Sequence, residues 1–374
     1  MKKISFILFT VLLFAGCTQK EKQNQNEKKE NLQELSYAVG FSITNHDEYK
    51  EITLYNPWEN GEIFANYYLV KDENTEVPAD GLKVKIPLEN IATTAVTQLE
   101  FLSLLSEIES INGICNPNLV YNADVQNRFS KGEISDLGDS FSINVERTIL
   151  LRPQALMMSG HNQIDANVER IKQAGVPVIY NNEWMETSLL GRAEWIKLVA
   201  VFFDKSEMAD SIFSEIEKNY NSMKEKAVHV INKPKIMAGS NFRGTWYVPA
   251  GRNFMSQLFR DAGADYFYAN DTTSGSLPLN VELVLKNFSD TEFWLNCNFS
   301  TKNELIKADS KHALFRAVKE DKVYNFNKRL LPSSANDFWE SAVARPDLLL
   351  ADVIAILHPE ILPEHELVYA AKLE

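Results

Sequence analysis

The chain reads as an α/β protein of two lobes, each a mainly parallel sheet flanked by helices, with one long rigid helix joining them. Three observations predict this. From residue 86 onward, short apolar runs alternate with amphipathic stretches of helical period, the pattern of βα units whose strands pair in parallel. The same alternation resumes after Lys233-Pro234. Between the two, residues 194–230 carry apolar side chains at helical spacing (Ile212, Phe213, Ile216, Tyr220, Met223) with few breakers, which suits a strut between lobes. A folded part of about 340 residues also exceeds what a single core usually serves.

The first residues predict the compartment. Lys2 and Lys3 precede an apolar run at residues 4–14, too short to remain in a bilayer as a helix. Leu13-Phe14-Ala15-Gly16-Cys17 resembles a bacterial lipobox, so residues 1–16 read as a lipoprotein signal peptide and Cys17 as the lipidated residue. Residues 17–35 are rich in Lys, Glu, Gln and Asn, with no aromatic side chain before Tyr37. They bury too little apolar surface to offset their ordering entropy and read as a disordered tether. The expected location is extracytoplasmic, anchored by lipid to a bacterial membrane.

The first lobe is expected over 36–190, the helical strut over 191–232 and the second lobe over 233–374. Residues 50–54 alternate, Asn56-Pro57-Trp58-Glu59-Asn60-Gly61 is a dense turn signal, and residues 63–70 follow as an aromatic-rich strand, together a leading β-hairpin. Strands are expected at 111–115, 155–159 and 176–180, and helices at 97–107, 146–151 and 164–174. Asp204-Lys205-Ser206-Glu207 looks like an interruption of the strut followed by a new helix start. In the second lobe, strands are expected at 236–239, 293–295 and 323–326. Helices are expected at 254–262 and 281–285, with a helix pair or bent helix at 338–357.

Charge excludes some partners. The formal net charge is −13, and loss of Lys2 and Lys3, the only charged residues in 1–16, takes it to −15. That balance argues against nucleic acid and against electrostatic adsorption to anionic lipid. After lipidation two cysteines remain, Cys115 and Cys297, and they are expected to be separate thiols. No Gly-x-Ser-x-Gly, His-Glu-x-x-His, phosphate loop or dinucleotide fingerprint is present, so a hydrolytic enzyme is the weaker alternative.

Several segments carry a family resemblance, in order. Residues 139–156 (Asp139-Ser140-Phe141 through Asn144-Val145-Glu146-Arg147 to Arg152-Pro153-Gln154-Ala155-Leu156) are similar to the segment in which a cleft loop leads into Leu-Glu-Arg-Ile and Lys-Pro-Asp-Leu, although Gln154 stands in place of the acid. Gly191-Arg192-Ala193-Glu194-Trp195, Asn336-Asp337-Phe338-Trp339-Glu340, Arg345-Pro346-Asp347 and His358-Pro359-Glu360 resemble further family motifs. Across most of residues 90–360 the chain resembles the vitamin B12 and iron-siderophore binding proteins of ABC importers, the helical-backbone class of solute-binding protein. The resemblance implies capture of an iron complex (siderophore or haem) or a corrinoid in an inter-lobe cleft, and delivery by a monomer to a permease dimer with its ATPase subunits. It implies no resident cofactor. It also implies two docking glutamates, Glu146 and Glu282, that meet permease arginines. A carboxylate in a first helical turn is supported by the helix dipole and pairs well with arginine.

Ligands of open α/β sheets sit beyond the carboxyl ends of strands. The candidates on those loops are Asn118, Tyr121, Phe141, His161 and Trp184 in the first lobe. In the second they are Arg243, Trp246, Tyr247, Arg252, Asn336 and Trp339. Loop aromatics would stack on a large flat ligand, and the two arginines would neutralise its carboxylates or phosphate. His161 or Tyr121 would be the axial ligand of a metal complex. A binding protein for bare zinc or manganese is the alternative within the same architecture.

Overall fold

The computed structural model describes residues 31–163 and 165–374. The signal peptide, Cys17 and most of the tether lie outside the described residues. The tether's expected end at 35 falls inside the fold, because Gln33 donates its N–H to Ile43 and Asn45 donates to Asn31, each at 2.8 Å.

The expected leading hairpin grows into a four-stranded sheet. Phe41–Asn45, Tyr49–Tyr55 and Ile63–Val70 pair antiparallel, and Leu82–Lys85 joins the last of them in parallel. Alternation sends Ile43, Ile52 and Leu54 inward, where they join the first lobe's core. The approach to this sheet is fixed by carboxylates of the lobe junction. Glu194 accepts the N–H groups of Ser36, Tyr37 and Ala38 at 2.8–3.0 Å, and Glu186 accepts those of Val39 and Gly40 and the Trp195 indole. The Gly191–Trp195 motif is thereby explained as an anchor for the segment that leads into the first strand.

Each lobe holds a five-stranded sheet. In the first, Val178–Tyr180, Ala155–Met158, Ile91–Thr93, Ile111–Ile114 and Ser135–Asp136 run parallel in that spatial order. In the second, Asp265–Tyr266, Lys235–Ala238, Phe293–Leu295 and Val323–Asn325 are parallel, and Ala371–Lys372 closes the edge antiparallel. A three-stranded antiparallel sheet, Ser240–Phe242, Thr245–Pro249 and Ser276–Leu279, occupies residues read from sequence as loop.

The strut is present and interrupted as expected. Leu189–Glu194 and Ile196–Val201 precede a break at Asp204, whose φ of +54° ends the run, and Ser206–Val228 is one helix of 23 residues. At 1.5 Å per residue it is roughly 35 Å long. Ala209 and Phe213 lie in the first lobe's core and Ile216, Tyr220 and Ala227 in the second's, so one rigid element is bolted into both. The largely buried helix Pro346–Leu357 packs beside it. Cys115 and Cys297 are both buried and unpaired, as expected.

Candidate functional site

Four segments of the first lobe bring aromatic rings together at the carboxyl ends of its strands. Residues 139–142 form a tight loop: Asp139 accepts the N–H of Phe141 at 2.8 Å, and Asn116 accepts that of Ser140 at 2.8 Å. Phe141 is left 82% exposed. The loop after Ala155–Met158 carries His161 and is pinned to the next loop by Asn182, whose Oδ1 accepts the Gly160 N–H at 2.7 Å. A Cβ at Gly160 would come within 2.8 Å of both Asn182 and the Phe64 ring, so the close approach requires glycine. The turn Glu183–Met185 presents Trp184, held from behind by an Arg192–Glu183 pair (2.7 and 2.9 Å) buried in the lobe.

The fourth ring comes from the leading sheet. Asn56 Oδ1 accepts the N–H groups of Trp58 at 2.9 Å and Glu59 at 3.2 Å, which fixes the turn and sets Trp58 against Phe64 and Trp184. Ring centroids then run Trp58 to Trp184 at 6.2 Å, Trp184 to His161 at 6.0 Å and His161 to Phe141 at 6.2 Å. Phe141, His161 and Trp184 were legible as candidates; Trp58 was read only as a turn residue. The signal for it was an aromatic side chain inside a turn, where none is needed for folding.

Two cavities flank the Phe141–His161 pair. The central one, about 310 Å³, is floored by Thr94, Ala95, Cys115 and Asn116. Burial pushes the Cys115 thiol up to about 12, so it is an inert apolar wall there. The lateral one, about 330 Å³, lies on the side of Trp58, Phe64 and Tyr180. A wider groove of about 770 Å³ runs between Asn118 on the first lobe and Leu331, Pro332 and Ser333 on the second.

Other expected residues fall elsewhere. Trp246 is fully buried, packed on Trp294 at 5.2 Å, because Thr245–Pro249 is a paired strand whose alternation turns it inward. It belongs to the core and not to the rim. The neighbouring Tyr247 points out and is 45% exposed. Asn336 caps the helix Asp337–Glu340 by accepting the Phe338 N–H, and its amide donates to the Phe326 carbonyl at 2.9 Å, a structural role. Arg243 sits at φ +52° in the turn between two strands and stacks over Phe242. Arg252 and Trp339 are exposed. Tyr121 lines a different cavity, with Glu100, Arg329 and Glu340, so of the two axial candidates His161 alone borders the central and lateral cavities.

That last cavity marks the seam between lobes. The Glu340 carboxylate of the second lobe accepts the N–H groups of Tyr121 at 2.6 Å and Asn122 at 2.9 Å in the first. Glu340 is buried, and burial pushes it up to about 7; Glu100 nearby is pushed up to about 7 by burial, reinforced by the charges of Asp337 and Glu340.

The two docking candidates occupy equivalent places. Asn144-Val145-Glu146 and Asn280-Val281-Glu282 each put a capping asparagine before the helix and a glutamate in its first turn, with cap bonds of 2.9 Å to Arg147 and Leu283. Both glutamates are exposed. Glu146 meets Arg170 at 3.2 Å, and its own backbone N–H together with that arginine holds it below the usual carboxylate range.

Comparison with known proteins agrees with this architecture. Residues 91–330 match the family described as periplasmic binding protein. The chain is 24% identical to an uncharacterized lipoprotein of Methanocaldococcus jannaschii, over 96% of this chain and 94% of that one. An ABC transporter substrate-binding protein from Listeria monocytogenes superposes with a TM-score of 0.54 at 18% identity, covering 73% of this chain and 99% of the other. A periplasmic heme binding protein from Pseudomonas aeruginosa superposes with a TM-score of 0.58 at 15% identity, covering 77% and 98%. Two lobes, two parallel sheets, a shared strut and a matched core of 240 residues thus agree: the chain belongs to the periplasmic binding protein family, the solute-binding proteins of ABC importers.

Proposed function

We propose that this chain is the lipid-anchored receptor of an ABC importer and captures a metal held in a large organic chelate, a haem, corrinoid or ferric siderophore. The observation that carries the reading is the row of four rings, Trp58, Trp184, His161 and Phe141, each about 6 Å from the next and drawn from four separate segments. Successive rings are tilted by 32–52°, so the row forms an uneven aromatic wall, against which a broad organic ligand gains ring contacts and apolar burial while a bare hydrated ion gains nothing. His161 stands inside the row, flanked by rings, where its imidazole would reach an open axial position of a bound metal. The heme binding neighbour and the lipoprotein relative support the ligand class and the Cys17 anchor respectively.

The strut explains how the receptor would signal occupancy. A helix bolted into both cores permits a small rotation of the lobes and resists wide hinge closure. Glu146 and Glu282, one per lobe, would then read lobe spacing directly against two arginine-bearing sites on a permease dimer. The test is uptake. Cells relying on this chain should lose chelate import with the double variant Glu146→Ala, Glu282→Ala, while the purified variant keeps its ligand affinity within about twofold. Loss of affinity along with uptake would refute the docking assignment.

A further inference from the structure

The lateral cavity has a lining of its own beyond the residues that it shares with the central one. It adjoins the central cavity along Ser140, Phe141, Met158, Ser159 and His161, which line both, and the Phe141–His161 pair is taken as the partition between them. Beyond them, its walls include the leading sheet, through Asn56, Trp58 and Phe64, the helix Ala166–Gln173, through Glu169 and Lys172, and the strand end at Tyr180. The leading sheet lies wholly before residue 91, where the family match begins.

Its chemistry differs from that of the central floor. Trp58, Phe64 and Tyr180 form a connected set of rings, with Phe64 to Tyr180 at 4.9 Å. The Lys172 ammonium lies 5.4 Å from the Tyr180 centroid and is paired with Glu169 at 2.9 Å. The wall is therefore aromatic, with amide and ion-paired groups at its mouth. Its volume, about 330 Å³, is at the low end for a ligand pocket and suits one ring system more than a whole macrocycle. The turn carrying Trp58 is built in advance of any ligand, since the Asn56 side chain and the Asn56–Glu62 backbone bond (2.9 Å) hold it closed. A preformed ring wall costs little ordering on binding.

We infer that the leading sheet gives this protein a second ligand compartment, which takes a planar aromatic arm of the transported chelate while the metal-bearing part lies across the partition in the cleft. The inference rests on the chelate-receptor reading above. Trp58 stacks on the arm, and the chain discriminates ligands bearing such an arm from otherwise similar ligands without one.

Two matched pairs of probes test this on the full chain: cyanocobalamin against dicyanocobinamide, which lacks the benzimidazole arm, and a ferric hydroxamate siderophore bearing a non-coordinating aryl arm against the same siderophore without it. The expected result is tighter binding of the aromatic member of the pair that binds. Trp58→Ala should weaken that member about tenfold, as the loss of one aromatic stacking contact implies, and weaken its partner by clearly less. Trp58→Phe should restore most of the loss. Circular dichroism and thermal melting check that the variants fold, and Trp58→Phe keeps the test open if the alanine variant does not. Equal affinity for both members of each pair, or equal losses for both in Trp58→Ala, would overturn the compartment while leaving the receptor reading in place. No binding of any probe by the wild-type chain would overturn the receptor reading, and the compartment with it.

Discussion

Trp184 and Trp246 look alike in the sequence, each in a stretch following a strand of a βα lobe, yet one lies in an exposed row of rings and the other in the core. Trp184 lies in a single turn whose neighbours Asn181, Asn182 and Glu183 are tied down by hydrogen bonds, so its ring has nowhere to fold back and stays 38% exposed. Trp246 lies on a strand hydrogen-bonded on both sides, and the two-residue period buries it with Val248 while turning Tyr247 out. The first lobe thus offers the ligand a row of rings. The second offers a hairpin edge with Phe242, Arg243 and Tyr247 exposed on it. On the receptor reading proposed above, the two rims would differ: a row of rings on one, and separate rings with an arginine on the other.

The largest effect that separates the two tryptophans is on stability. Trp246→Ala should cost about 3–5 kcal/mol, the usual range for a buried aromatic, because it leaves a void among Trp294, His312 and Phe315. Trp184→Ala should stay within about 1 kcal/mol of wild type and lose ligand affinity instead. Urea denaturation and ligand titration on the two variants would break the comparison if the costs were reversed.

The seam between lobes gives the next effect. Glu100 and Glu340 both stand near 7 in the folded chain, against about 4.3 for an unfolded glutamate. Between those values the native state binds more protons than the unfolded one, so stability is greatest at the acid end and falls as pH rises towards 8. Urea midpoints between pH 5 and pH 8 should show this decline. Glu340→Gln should reduce the decline, since the amide cannot ionise, although its single oxygen keeps only one of the two bonds that the carboxylate oxygens accept from Tyr121 and Asn122. An unchanged slope in that variant would remove Glu340 from the account.

The smallest effect concerns a place where the lobes are alike. Asn144→Ala and Asn280→Ala each remove a helix cap, and each should cost about 1 kcal/mol. A large difference between the two losses would mean that the Asn-Val-Glu turns are less equivalent than their geometry indicates.

The alternation of short apolar runs with amphipathic stretches carried the two lobes, the strut and its break near Asp204 clearly, because each is a matter of local period. The hairpin at 240–249 was hidden by its turn chemistry: Gly239, Arg243 and Gly244, all at positive φ, made the segment read as loop, although Thr245-Trp246-Tyr247-Val248 alternates. The leading sheet's fourth strand, Leu82–Lys85, pairs across a connection of eleven residues, and no local period announces such a partner. Phe141, His161 and Trp184 could be found because polar loops seldom need large rings. Trp58 gave the same signal from within its turn, but its place in the row depends on where a separate sheet is anchored, and that is decided by Glu186 and Glu194 more than a hundred residues away.

The most direct test of the central claim is titration of the chain's intrinsic tryptophan fluorescence with haemin, cyanocobalamin, several ferric siderophores and free Zn²⁺ or Mn²⁺. Trp58 and Trp184 both belong to the ring row, so a bound chelate should quench strongly and saturably, and the Trp184→Phe variant should lose part of the signal. A response confined to the free metal ions, with none to any chelate, would contradict the account.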